Sequence, residues 1–172
     1  EVNYKWNFKQ GYFVNHKKTW KINKKEGGGL INFYTIHILY NLLFFFQNIK
    51  IKKIKKFHQK NILTKCLIFG TIEKNTKLII NVNCNSNKSE HTLEVKTKKN
   101  IYKLLNDQKN WIKGFKIFIN KKKLKKKFIK TDRKKLTLIS YHKLFYQNVQ
   151  RKQNNVNSKI AHYLCNKLFK LI

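Results

Sequence analysis

The chain has 172 residues, with 40 lysines and arginines against 7 acidic residues and a formal charge of +33. That length suggests one domain or two small ones, and 14% aromatic residues are enough to bury a core, which excludes a wholly disordered chain. Self-repulsion at this charge points to a polyanion, and nucleic acid is the expected partner.

In chain order, residues 1–47 read as an N-terminal extension. Its first part interleaves Tyr4, Trp6, Phe8, Tyr12, Phe13 and Trp20 with Lys5, Lys9, Lys17, Lys18 and Lys21. Such a mixture suits stacking on unpaired bases and contact with phosphates, or packing of the aromatics on the body or a neighbour. Gly27 to Gly29 reads as a flexible joint. The apolar run Leu30 to Phe46 contains Asn32, His37 and Asn41; it is too short and too polar for a membrane span and reads as a helix buried against protein, or as a strand pair.

Residues 48–114 form a first expected module. Ile49, Ile51 and Ile54 lead into strands at Leu63 to Phe69, Leu78 to Val82 and His91 to Lys96, with turns at Gly70 to Asn75 and Asn83 to Lys88. Ile101, Leu104, Leu105, Trp111 and Ile112 fall at helical spacing, and Gly114 ends that helix. Residues 115–172 repeat the order: strands near 115–120, 124–130, 135–142 and 144–149, with the lysine block 121–127 turning the chain, then a helix. Asn155 is its N-cap, and Val156, Ile160, Tyr163, Leu164 and Leu168 are its apolar stripe. The fold class read from this pattern is α+β: two tandem modules, each a small antiparallel sheet with one packed helix, behind the extension.

Catalytic patterns are not expected. Cys66, Cys84 and Cys165 are odd in number without CxxC spacing, and read as buried or incidental thiols. The six histidines are isolated, and His37 reads as a packed or interfacial side chain. No two of the seven acids are paired in the manner of nucleases or hydrolases, and there is no phosphate-cradling glycine loop. The sequence predicts no catalytic residue, no metal, no cofactor and no small-molecule substrate. Proline is absent, Ala161 is the only alanine, and Arg133 and Arg151 are the only arginines, which implies an extremely AT-rich, organellar gene.

Leu104-Leu105-Asn106 followed by Ile112-Lys113-Gly114-Phe115, then Leu136 to His142, then Lys152-Gln153 and Val156 to Leu164, resemble in order the motifs of the sixth protein of the large ribosomal subunit. The resemblance spans about Ile49 to Leu168. It departs at Asn120 to Phe128, which is mostly lysine, and in lacking that family's C-terminal tail. It implies a structural, non-enzymatic constituent of a mitochondrial large ribosomal subunit, encoded in the organelle. Its partners would be ribosomal RNA near the factor-binding side and neighbouring ribosomal proteins.

The RNA-binding residues expected on this reading are Lys121, Lys122, Lys123, Lys125, Lys126, Lys127, Lys130, Arg133, Lys134, Lys135, Arg151 and Lys152, with Lys17, Lys18, Trp20 and Lys21 from the extension. The alternatives are a membrane-associated organellar subunit anchored by residues 30–46 with its lysines on anionic lipid, and another basic ribosomal protein. Membrane contact is not expected.

Overall fold

The computed structural model describes residues 1–15, 19–46, 48–106, 116–124, 159–166 and 168. Eight strands form one sheet: β1 (Val2–Lys9), β2 (Ile49–Gln59), β3 (Ile62–Ile72), β4 (Thr76–Asn83), β5 (Asn85–Lys96), β6 (Ile101–Asn106), β7 (Lys116–Ile119) and β8 (Lys122–Lys123). Their spatial order is β2-β3-β4-β1-β5-β6-β7-β8, and among the described residues β1 with β4 is the one parallel pair. Helical structure lies between β1 and β2: a short turn α1 (Gly11–Val14), a 3-10 turn at Lys24–Glu26, a wide π-type segment at Leu30–Thr35, and α2 (Ile36–Phe45) continuing from it. Residues 159–166 are helical too. The class is therefore α+β, built on one mostly antiparallel sheet.

The alternation of β1 explains its place. Val2 and Tyr4 are buried while the lysines between and after the aromatics are not, so the residues that read as aromatic-cationic interleaving are an amphipathic strand of period two. Val2, Tyr4 and Trp6 pair with Leu78, Ile80 and Val82 on one side, and with Val95, Leu93 and His91 on the other. The first strand in sequence thus lies between the fourth and the fifth.

On the face of the sheet that carries those side chains, Leu30, Ile31, Tyr34, Ile38 and Leu42 join Ile68, Leu78, Ile80 and Val82 in one core. Thr35 Oγ1 lies 3.9 Å from Cys66 Sγ and donates to the Leu30 carbonyl. The run from Leu30 is thus a helix buried against protein, and no helix among the described residues is long and apolar enough to cross a membrane. Ala161, Leu164 and Leu168 reach the same core, whereas Tyr163 points outward at 66% exposure and lies off the expected apolar stripe. All three cysteines are buried and free.

Several expected elements differ. Ile101–Asn106 is a strand: its apolar residues satisfy helical spacing, but the segment pairs in register with Lys96 to His91 of β5, which puts Leu104 and Leu105 on opposite faces. Hydrogen bonding then continues from β6 to β7, so one sheet runs across the expected boundary at residues 114 and 115. β5 begins at Asn85, within the segment read as a polar turn. Two tight reversals, Lys60-Asn61 and Asn120-Lys121, have positive φ at both residues, the geometry whose twist matches a hairpin. The strands expected at 124–130, 135–142 and 144–149, the helix end at Gly114, and Val156 lie outside the described residues, apart from Leu124.

Gly70 lies within β3, not in a turn, opposite Ile51 and beside a bulge in β2. A Cβ built there would lie 2.2 Å from the Lys50 carbonyl oxygen, a contact with backbone that cannot swing away. Gly70→Val must therefore separate β2 from β3. The expected loss is about 2 kcal/mol or more, lowering Tm by roughly 5 °C, and an unchanged thermal unfolding curve would contradict the register.

Candidate functional site

Gly27 to Gly29 is a fixed loop, not a joint. Gly27 and Gly29 have φ of 80° and 90°, where a side chain would be strained. Gly28 is buried, and a Cβ there would lie 2.0 Å from the Trp20 carbonyl oxygen. The Gly28 N–H donates to Asn23 O at 2.8 Å and the Gly29 N–H to Lys21 O at 2.7 Å. These bonds clamp the loop at residues 20–23 onto the start of the π-type segment. Wide helical turns of this kind concentrate at functional sites, because they re-aim the side chains around them.

The side chains gathered there form an aromatic patch with one cation and one imidazole. Phe33 is at its centre: Trp20 meets it edge-on at 5.3 Å, Lys21 Nζ lies 5.7 Å from its ring, and His37 meets it edge-on at 6.4 Å. Trp20 is 51% exposed, and His37 lies on the exposed side of α2. Loss of hydration holds the His37 pKa below its ordinary value, so at neutral pH the ring is uncharged and can accept a proton. The patch thus offers aromatic surface from two nearly perpendicular rings beside a neutral imidazole and a lysine ammonium.

A second polar group lies beneath α2, on the sheet. Tyr4 Oη and His91 Nε2 are 2.7 Å apart, and Asn41 Nδ2 donates to Tyr4 Oη at 3.4 Å. The His91 ring stacks on Trp6 at 4.7 Å with 7° between planes, and Trp6 meets Tyr34 edge-on. Burial lowers the His91 pKa to about 4 and raises that of Tyr4, which Asn41 partly offsets. Both groups are neutral at pH 7.

Of the basic and aromatic residues expected to bind RNA, Trp20 and Lys21 meet at Phe33. Lys121, Lys122 and Lys123 are exposed on the β7–β8 hairpin at the far end of the sheet. Lys17, Lys18, Lys125, Lys126, Lys127, Lys130, Arg133, Lys134, Lys135, Arg151 and Lys152 lie outside the described residues. Sequence reasoning missed Phe33 and His37 as a site, and the three consecutive glycines ahead of them are the one local signal the sequence carries. Tyr4 and His91 meet across 87 positions of sequence, and no local pattern announces them.

A folded pKa below the unfolded value means that the unfolded chain binds the proton more readily. The stability tied to a neutral His91 is therefore present above about pH 6.5 and is lost as pH falls towards 4. Thermal unfolding followed across that window should show a decline on the order of 3 kcal/mol at most from this residue. His91→Phe should flatten that decline; an unaltered pH profile would contradict the burial of His91.

No family model matches the sequence, and no curated protein matches it. Solved structures do match. An aldose-aldose oxidoreductase from Caulobacter crescentus superposes with a TM-score of 0.66 at 8% identity, over 96% of this chain and 53% of that one. A dehydrogenase from Clostridium difficile gives 0.63 at 13% identity, over 99% and 54%. A myo-inositol dehydrogenase from Corynebacterium glutamicum gives 0.53 at 12%, over 94% and 50%.

These neighbours are described as oxidoreductases and dehydrogenases. The match overturns the ribosomal resemblance, and with it the structural role in a ribosome, the rRNA and ribosomal-protein partners and the non-enzymatic reading. The motif order that suggested a ribosomal protein depended on a helix at 101–112, and its first six residues are a strand. The chain spans about half the length of the solved structures it matches, and at these identities it shares with them a fold.

Proposed function

We propose that this chain is the substrate-side half of an oxidoreductase that interconverts an alcohol and a carbonyl on a small polyhydroxylated molecule. The observation that carries the proposal is His37: exposed, uncharged at neutral pH and fixed beside the Trp20–Phe33 platform, in a fold shared with oxidoreductases. The neighbours supply the substrate class, since they include enzymes of aldoses and myo-inositol, one of them complexed with glycerol. An aromatic platform covers the apolar face of such a molecule, while the Lys21 ammonium donates to its hydroxyls. His37 is placed to take the proton of a substrate hydroxyl, or to return it, and that proton transfer is the step assigned to these residues.

A nicotinamide dinucleotide is the group that this fold likeness implies, since neighbours are described in complex with NADP or NADH. The described residues do not fit it. Dinucleotides bind on a doubly wound parallel sheet, at a glycine-rich turn that opens onto a helix N-terminus. Among the described residues β1 with β4 is the one parallel pair, and the Gly27–Gly29 backbone is turned onto residues 20–23. No step is therefore assigned to a cofactor held by these residues.

Titration of the chain with myo-inositol, followed by tryptophan fluorescence and by NMR of the histidine rings, tests the proposal. Saturable changes at Trp20 and His37 are expected, with His91 unmoved, and His37→Gln should weaken them. In any full-length protein with polyol dehydrogenase activity, the same variant should lower kcat by roughly 10²-fold or more. Binding that persists unchanged in both Trp20→Ala and His37→Gln would overturn the site, as would no saturable change in the native chain.

A further inference from the structure

Beyond the platform itself, the structure ties the proposed proton acceptor to the middle of the sheet. His37 and Asn41 are four residues apart on α2, so they are neighbours on one side of the helix. Asn41 Nδ2 reaches Tyr4 Oη at 3.4 Å, and Tyr4 Oη reaches His91 Nε2 at 2.7 Å. Three elements that are remote in sequence are thereby joined: α2, the central strand β1, and its neighbour β5. Tyr4 is 5% exposed and His91 is clamped by stacking on Trp6, so the sheet end of this chain of bonds is held by packing. Its other end, on α2, is exposed.

We infer that Tyr4 and Asn41 are positioning residues for His37: Tyr4, held by His91, receives the Asn41 amide and so fixes the turn of α2 that presents the imidazole beside Phe33. The direction of donation agrees with this. Asn41 donates to the Tyr4 oxygen, whose own proton goes to Nε2 of His91, which leaves the hydrogen of the neutral imidazole on Nδ1. Tyr4 Oη then both accepts and donates. The buried residues Ile38, Leu39, Leu42 and Leu43 set which side of α2 faces the core, and the polar side chain beside them adds a directional contact. A hydrogen bond across the gap supplies that direction.

This inference rests on the role proposed for His37, but its test does not need a substrate. Tyr4→Phe removes one oxygen and keeps the ring. In the full chain with carbon-13 labelled histidine, the His91 signal should shift, and the single His37 signal should broaden or split as the turn loses its anchor. Asn41→Ala should reproduce the His37 change while the Tyr4–His91 contact persists. If Tyr4→Phe shifts His91 and lowers Tm but leaves His37 sharp and unmoved, the pair is merely structural and the inference fails. Should Tyr4→Phe not fold, Asn41→Ala decides alone, since Asn41 is on the surface. A native chain that binds no polyol would remove the catalytic role of His37 and leave this readout intact, so the two failures are distinguishable.

Discussion

The placement of β1 between β4 and β5 is the constraint on which the rest of the molecule depends. Its pairing is parallel on one side and antiparallel on the other, which requires both of its backbone edges to be satisfied at once. The period-two pattern then decides which face is buried. Slipping the strand by one residue would turn Lys5 and Lys9 into the core and expel Tyr4, Trp6 and Phe8, so one register is strongly favoured. That register sets the row on which the helical layer rests: Phe8 and Trp6 meet Tyr34, and Tyr4 meets Asn41. Tyr34, Ile38 and Asn41 recur at helical spacing along that row, so the helix is aligned by the strand below it.

With the helix fixed from below, the glycine loop fixes it from its N-terminal end. A residue with a Cβ at position 28 could not let the Trp20 carbonyl approach, and residues other than glycine at 27 and 29 would strain the turn. The π-type segment between loop and helix then absorbs the mismatch. Phe33 is half-buried there, while Tyr34 and Thr35 are buried. Phe33 and His37 therefore stand on helical elements, and Trp20 is held to them by the clamped loop, which is how a site keeps its geometry without a ligand.

Much of the sheet was legible in the sequence, because half-buried strands alternate and hairpins carry turn residues. β2, β3 and β4 lie where Ile49 to Val82 predicts them, with longer ends. Two kinds of information were not legible. Ile101 to Asn106 fits a helical stripe as well as a strand, and only its partner β5 resolves the ambiguity. The row of Tyr4, Trp6 and Phe8 carries a strand signal, yet the lysines between them matched another pattern equally well. The site was hidden for a different reason: a lone histidine inside an apolar run carries no chemistry until the helix shows which way it faces.

The charge also has a simpler place in this fold than a polyanion requires. Lys50, Lys52, Lys53 and Lys55 are exposed on β2, the strand at one edge of the sheet. Lysines on an exposed edge discourage pairing with another chain, so part of the excess protects an otherwise sticky border.

The measurement that tests the account most directly is a crystal structure of the full chain soaked with myo-inositol. The account predicts the polyol against the Trp20–Phe33 platform, with one hydroxyl in hydrogen-bond reach of a His37 ring nitrogen. A polyol bound elsewhere, with His37 and Phe33 untouched, would contradict it.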